Sequence, residues 1–443
     1  MTELREAPPE IEPGSRRPPA DTGRVALAVG LWAVAVLGCR VVAEGIMARE
    51  GFASLRLGAA PLVGREVPAF GLRLLLPLIV GGLLVWLLPV LAARLSWRRL
   101  LAVVVLATIG WVVAVNLTRD GGLTRPLERP GDEYLVDVPA IESPREFLRT
   151  YPERIDDYAV HTRSHPPGFV LVLLGLDRLG LGGAAAAAAL VVGAGAAGLA
   201  AVLIGVREVA GEAMARRAAP FLVLAPAALW IGSTADALYA AVGAAGLALL
   251  LVGSGRPGRS AWLFALGAGL LVGVCLTFSY GLWLLGLVAL PVIIHRRRFD
   301  LVPIAAAGAA VVLGVLWWAG FDYLAGFAAT RREVAESVQS TRPFALFVVL
   351  NLAVLGIACG PAVVAGLARL RDRATWLLVG GALLAVVAAD LSGLSKGEVE
   401  RIWLPFTIWV LAAGAAHDPP GRGWLSVQVA FALTVQTLAR TGW

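Results

Sequence analysis

Two histidines four residues apart, His161 and His165, precede a double proline in the run HTRSHPPG, in a chain with only four histidines. Upstream, GDEYLVDV sets Asp132 beside Glu133. A carboxylate near a reacting hydroxyl is what a general base requires, and an imidazole can serve a proton or a phosphate. A metal pair would need both histidines on one helix face; Pro166 and Pro167 argue against helix there, so imidazoles aimed at a phosphate are the expected use. Asp236 stands in the turn STADAL, Tyr280 in TFSYG, and Asp322 just after WWAG. SKGEVERIWLP completes the set with Lys396, Glu398, Glu400 and Arg401. Arginine and lysine together make a natural phosphate clamp, and Lys396 is the only lysine in the chain. Each residue also has a plainer role: a solvated loop for Asp132 and Glu133, a helix cap for Asp236, and neutralisation of Arg401 by Glu398 and Glu400.

The elements that must position these residues are membrane spans. Of 443 residues, 58% are hydrophobic and 16% charged, far from the composition of a soluble domain. Apolar runs recur near 25–47, 70–92, 100–118, 183–206, 218–232, 236–253, 261–278, 280–294, 301–319, 343–367, 375–391, 401–416 and 424–440. This predicts an all-α, polytopic transmembrane bundle of about 13 spans. The segment 166–181 is apolar but short and carries Asp177 and Arg178, which suits an interfacial helix following the long outer loop 119–165. With that segment not crossing, the arginine clusters at 16–24, 94–99, 207–217, 256–259, 296–298 and 369–373 share one side. By the positive-inside rule that side is the cytoplasm, and the candidate residues gather on the other face. HPPG marks the helix start, since proline at the first helical position needs no N–H partner.

The net charge of +7 reads as this topology signal, so no nucleic-acid partner is expected. Cys39, Cys275 and Cys359 lie far apart in apolar segments and imply neither disulfides nor a metal site. Residues 1–23, rich in Pro, Glu and Arg, read as a disordered cytoplasmic tail, with no cleaved signal peptide expected. Small-residue runs at 182–205 and 267–273 suggest close helix packing. No glycine-rich phosphate loop is present, which disfavours a nucleotide-sugar donor.

An outer loop with an acidic pair, followed by HPPG opening an amphipathic segment, resembles the GT-C superfamily of membrane glycosyltransferases. It resembles in particular the protein O-mannosyltransferase and aminoarabinose-transferase branch. WIGSTADAL, GLLVGVCLTFSYG and ERIWLP extend the likeness over roughly 95–420. Two extra spans at 24–94 precede this core, and a C-terminal span at 421–443 follows it. The resemblance implies an inverting transferase that moves a sugar from a polyprenyl-phosphate donor to a glycan, lipid or protein acceptor on the extracytoplasmic face. It implies Asp132 as base with Glu133 beside it, Asp137, Asp156 and Asp157 being alternatives. It further implies His161, His165, Lys396 and Arg401 at the donor phosphate, with Asp236, Tyr280, Asp322, Glu398 and Glu400 around the cavity. No cofactor is implied for certain, and a divalent cation stays open. The competing reading is a transporter or flippase of a lipid-linked sugar, which would need charges deep in the spans; only Arg40, Arg73 and Asp390 qualify. The expected location is a plasma membrane, multi-pass with the N-terminus cytoplasmic, and the Arg and Ala bias fits a GC-rich bacterium.

Overall fold

A computed structural model describes residues 19–442 of the chain. Residues 1–18, most of the expected tail, lie outside the described residues. Residues 19–23 are already helical, because the first helix runs from Pro19 to Glu50 with Asp21 in its first turn. Proline at a helix start and an acid near the positive end of the helix dipole favour that beginning.

The structure is 77% helical with almost no strand. Among the described residues eight helices are long and apolar enough to cross a membrane, or nine if one sharply bent pair counts as a single span. The other apolar runs are shorter or broken. Residues 218–232 fall across helices Glu212–Val223 and Ala228–Ile231, while Tyr280–Arg296 and Leu404–Ala416 are short apolar helices. Peripheral helices carry apolar side chains outward, among them Leu27, Leu31, Val34, Trp317 and Trp318. Such surface is stable against lipid and would be a liability in water.

The interior is built by close helix contact. Helix Asp236–Ser254 packs against Ala184–Ala210 and Gly258–Phe278, and the latter packs on Leu301–Trp318. At the last crossing a Cβ on Gly269 would lie 1.9 Å from the Ala305 carbonyl oxygen. Only the absence of a side chain permits that approach. The bent pair, Phe344–Cys359 and Pro361–Arg369, turns by 100° at Gly360, whose φ is +82°. Gln428 repairs the backbone there: its Nε2 donates to the Cys359 carbonyl, and its Oε1 accepts from the Ala362 amide at 3.0 Å. A break in a buried helix survives only when such partners re-satisfy the freed groups.

The segment after HPPG is a helix over Gly168–Arg178, 11 residues and so about 16 Å long, about half a hydrocarbon core. One strand pairing is present among the described residues, the antiparallel ladder of β1 (Arg65–Glu66) and β2 (Ala439–Arg440). Cys39, Cys275 and Cys359 are buried and unpaired.

Candidate active site

The long loop is folded back on itself. Its early part meets its late part through two backbone bonds, Val160 N–H to the Gly131 carbonyl at 3.0 Å and His161 N–H to the Asp132 carbonyl at 2.9 Å. Asp137 adds a third tie, both carboxylate oxygens accepting from the Ala159 amide at 3.3 and 3.1 Å. Residues separated by nearly thirty positions therefore become neighbours, and the acidic pair is delivered to the histidines.

The two acids of that pair part company. Glu133 turns inward, almost fully buried, with Oε2 3.1 Å from His161 Nδ1. Asp132 turns outward into an ion pair with Arg129. On its other edge His161 presents Nε2 to Arg401 Nη2 at 3.1 Å. A guanidinium can only donate, so Nε2 accepts and Nδ1 carries the proton given to Glu133. The tautomer of His161 is thus fixed by its two neighbours.

Arg401 is buried and gathers the distant parts of the chain. Nη1 donates to Asp236 Oδ2 at 3.0 Å, and Nη2 donates to Glu398 Oε2. Asp236 opens the helix Asp236–Ser254 without making a side-chain cap; its carboxylate is spent on Arg401 instead. Glu400 is buried as well. The cluster therefore has more carboxylates than cations, and a phosphate reaching Arg401 must displace an acid.

Above the cluster sits an aromatic shelf. The Tyr134 ring lies 5.6 Å from His161, 5.9 Å from His165 and 5.0 Å from Phe169 between centroids. Its hydroxyl accepts from Tyr239 at 3.1 Å, and burial pushes its pKa up. His165 Nδ1 is 3.0 Å from the His161 carbonyl and must donate to it. Burial lowers the His165 pKa to about 4. His165 is therefore neutral at pH 7 with Nε2 as a lone pair, a poor donor to phosphate.

Only His161 lies on a short helix. Val160–Arg163 ends before His165, the residue that Pro166 restricts. No group of three His, Cys, Asp or Glu side chains among the described residues is arranged to hold a metal ion.

Three predicted residues stand elsewhere. Lys396 Nζ donates to the Arg342 carbonyl at 2.9 Å, while Arg342 donates back to the Lys396 carbonyl. Asp322 caps the helix Tyr323–Glu336, accepting from the amides of Leu324 and Ala325 at 2.9 Å each. Tyr280 packs against Tyr323 and Phe327. Tyr134, Tyr239 and Arg129 were not anticipated; the tyrosine of GDEYLVDV was the available signal, adjacent to the acids and followed by an apolar pair.

No protein-family model matches the chain, and no curated protein matches it.

Proposed function

We propose that the protein is a polytopic membrane glycosyltransferase of GT-C type, taking a sugar from a polyprenyl-phosphate donor on the extracytoplasmic face. The observation that carries this reading is the chain of contacts Glu133, His161, Arg401 and Asp236, which joins the polar loop to the mouths of two apolar helices. A lipid phosphate and a water-borne acceptor would meet at such a place. The reading takes about 13 spans, a cytoplasmic N-terminus, and Gly168–Arg178 as the interfacial helix.

In this mechanism Glu133 is the base, in preference to Asp132, whose carboxylate is held by Arg129. The acceptor hydroxyl gives its proton to Glu133 while its oxygen bonds to the anomeric carbon. The phosphate leaves from the opposite face with the bonding electron pair, so the configuration inverts. His161, donating through Nδ1, orients the carboxylate. Glu398, with 21% of its side chain exposed against 6% for Asp236, is the acid that yields Arg401 to the departing phosphate. Asp236 stays to hold the guanidinium in place.

The test is sugar transfer from a radiolabelled polyprenyl-phosphate sugar in proteoliposomes. E133Q should lower kcat by about 10²–10⁴, the range for loss of a general base, with D132N within about tenfold of wild type. R401A should abolish transfer. Full activity of E133Q and R401A in correctly inserted protein sinks the proposal, and loss confined to D132N moves the base to Asp132.

One observation favours the transporter reading. Asp390, buried within the helix Arg373–Leu391, accepts from Asn351 Nδ2 at 2.9 Å beside the helix broken at Gly360. Buried acids and interrupted helices line the paths of transporters. Counterflow of lipid-linked sugar with no acceptor product would select that class.

A further inference from the structure

A cavity of about 720 Å³ lies beside the Arg129 turn, within the size range of small-ligand sites. Its wall carries Arg56, Arg65, Arg119, Arg125, Arg129 and Arg440, with Asp120 as the one carboxylate among the lining residues. Asp120 is taken by Arg73. Arg119 and Arg129 are structural: Arg119 Nη2 donates to the carbonyls of Val67, Gln436 and Ala439 at 3.2, 2.7 and 3.1 Å, and Arg129 holds Asp132 and the Gly442 carbonyl. Those bonds fasten three separate segments into one wall.

The other four, Arg56, Arg65, Arg125 and Arg440, are exposed, and among the described residues none has an acid within ion-pair distance. Two of them are forced together. Arg65 and Arg440 are direct partners across the antiparallel ladder, and like charges in that position destabilise a sheet. Arg56 is pinned by a third segment: Arg342 donates through Nε and Nη2 to the adjoining Leu55 carbonyl at 3.0 and 2.9 Å. Arg56 itself holds the left-handed conformation, φ +53°, which a bulky residue rarely adopts. Dispersed surface arginines would need no explanation. Four of them around one concavity, with no acid within ion-pair distance of them among the described residues, focus positive potential onto whatever enters.

We propose that this cavity is a binding site for a multivalent oxyanion, a diphosphate or a close pair of phosphate or carboxylate groups. Guanidinium forks match such oxygens two at a time, and a second anionic group would engage Arg65 and Arg440 together. The same chemistry is offered by an anionic lipid headgroup and by a soluble anionic glycan or phosphate. The proposal rests on the cavity alone and does not need sugar transfer by the buried cluster.

The test uses the full chain, with inorganic pyrophosphate as probe and thermal unfolding followed by tryptophan fluorescence. In neutral detergent, pyrophosphate should raise the melting temperature of the wild type, and more NaCl should raise the concentration needed. R65Q/R440Q should raise that concentration at least tenfold. R125Q, from a different segment, should weaken the response too, while R149Q, an exposed arginine outside the lining, should leave it unchanged. In nanodiscs, phosphatidylglycerol that blunts the pyrophosphate response of the wild type identifies a lipid headgroup as the source. A response indifferent to lipid composition identifies a soluble anion. No stabilisation of the wild type by pyrophosphate, or an equal response in R65Q/R440Q, overturns the proposal.

Discussion

The turn at Asp132 and Glu133 separates two charged regions that are solved in opposite ways. On the Glu133 side one guanidinium, Arg401, is buried among Asp236, Glu398 and the His161 ring. On the Asp132 side six arginines surround an open cavity with one lining carboxylate. The first region is largely buried, so each charge finds its partner within the protein. The second keeps water, which screens repulsion and lets four arginines stand with no acid among the described residues at ion-pair distance. Burial makes the cluster brittle, and exposure leaves the cavity ready for a ligand. Two adjacent acids facing opposite ways divide the loop between these tasks.

The contrast is broken most severely at Arg401. R401L leaves Asp236 and Glu398 side by side without a cation, which should destabilise the fold by about 3–5 kcal/mol in equilibrium unfolding from mixed micelles. Adding D236N should recover part of that loss, since one of the stranded charges goes with it. A loss under about 1 kcal/mol would mean that water already reaches the cluster, and the distinction between the two regions would fall.

Acid probes the same distinction more gently. The folded pKa of His165, about 4, lies below its unfolded value of about 6.5. Between those values the unfolded chain binds more protons, so stability should fall as pH drops from about 6.5 to 4. The contribution is at most about 3–4 kcal/mol, and less because His165 is only half-buried and solvent screens it. H165Q should flatten this part of the difference in melting temperature against pH. An unchanged slope would place the sensitivity on another group.

Much of the buried region was legible in the sequence. Asp236, Glu398 and Arg401 are expensive residues at the ends of apolar runs, where an acid or base must be paired or functional, and Glu133 and His161 stand in the two polar motifs of the outer loop. Which member of the acidic pair faces inward was not legible, because adjacent positions differ only by the rotation of a turn that the Gly131–Val160 contact sets. Lys396 misled for a related reason: its rarity reflects composition, while its ammonium serves the Arg342 turn. Two of the runs read as continuous are interrupted, between Val223 and Ala228 and at Gly360, and these breaks are repaired by the Ala358 carbonyl meeting the Ala227 amide and by Gln428. The arginine cavity escaped notice altogether. Its wall comes from residues 56–67, 116–129, 229–230 and 435–442, brought together by the β1–β2 ladder and by Arg119, Arg129 and Gln436.

The smallest expected effect tests that ladder without any ligand. If Arg65 and Arg440 repel, R440Q should stabilise the unliganded protein by a few tenths to about 1 kcal/mol at low salt. The gain should vanish near 1 M NaCl, where the screening length is about 3 Å. R65Q added to R440Q should contribute little more, because the repulsion needs both partners. A protein weakened by R440Q at every salt concentration would show instead that the arginine stem packs usefully against the ladder. In that case the cavity's charge would carry no stored repulsion for an anion to relieve, and the two regions would differ in exposure alone.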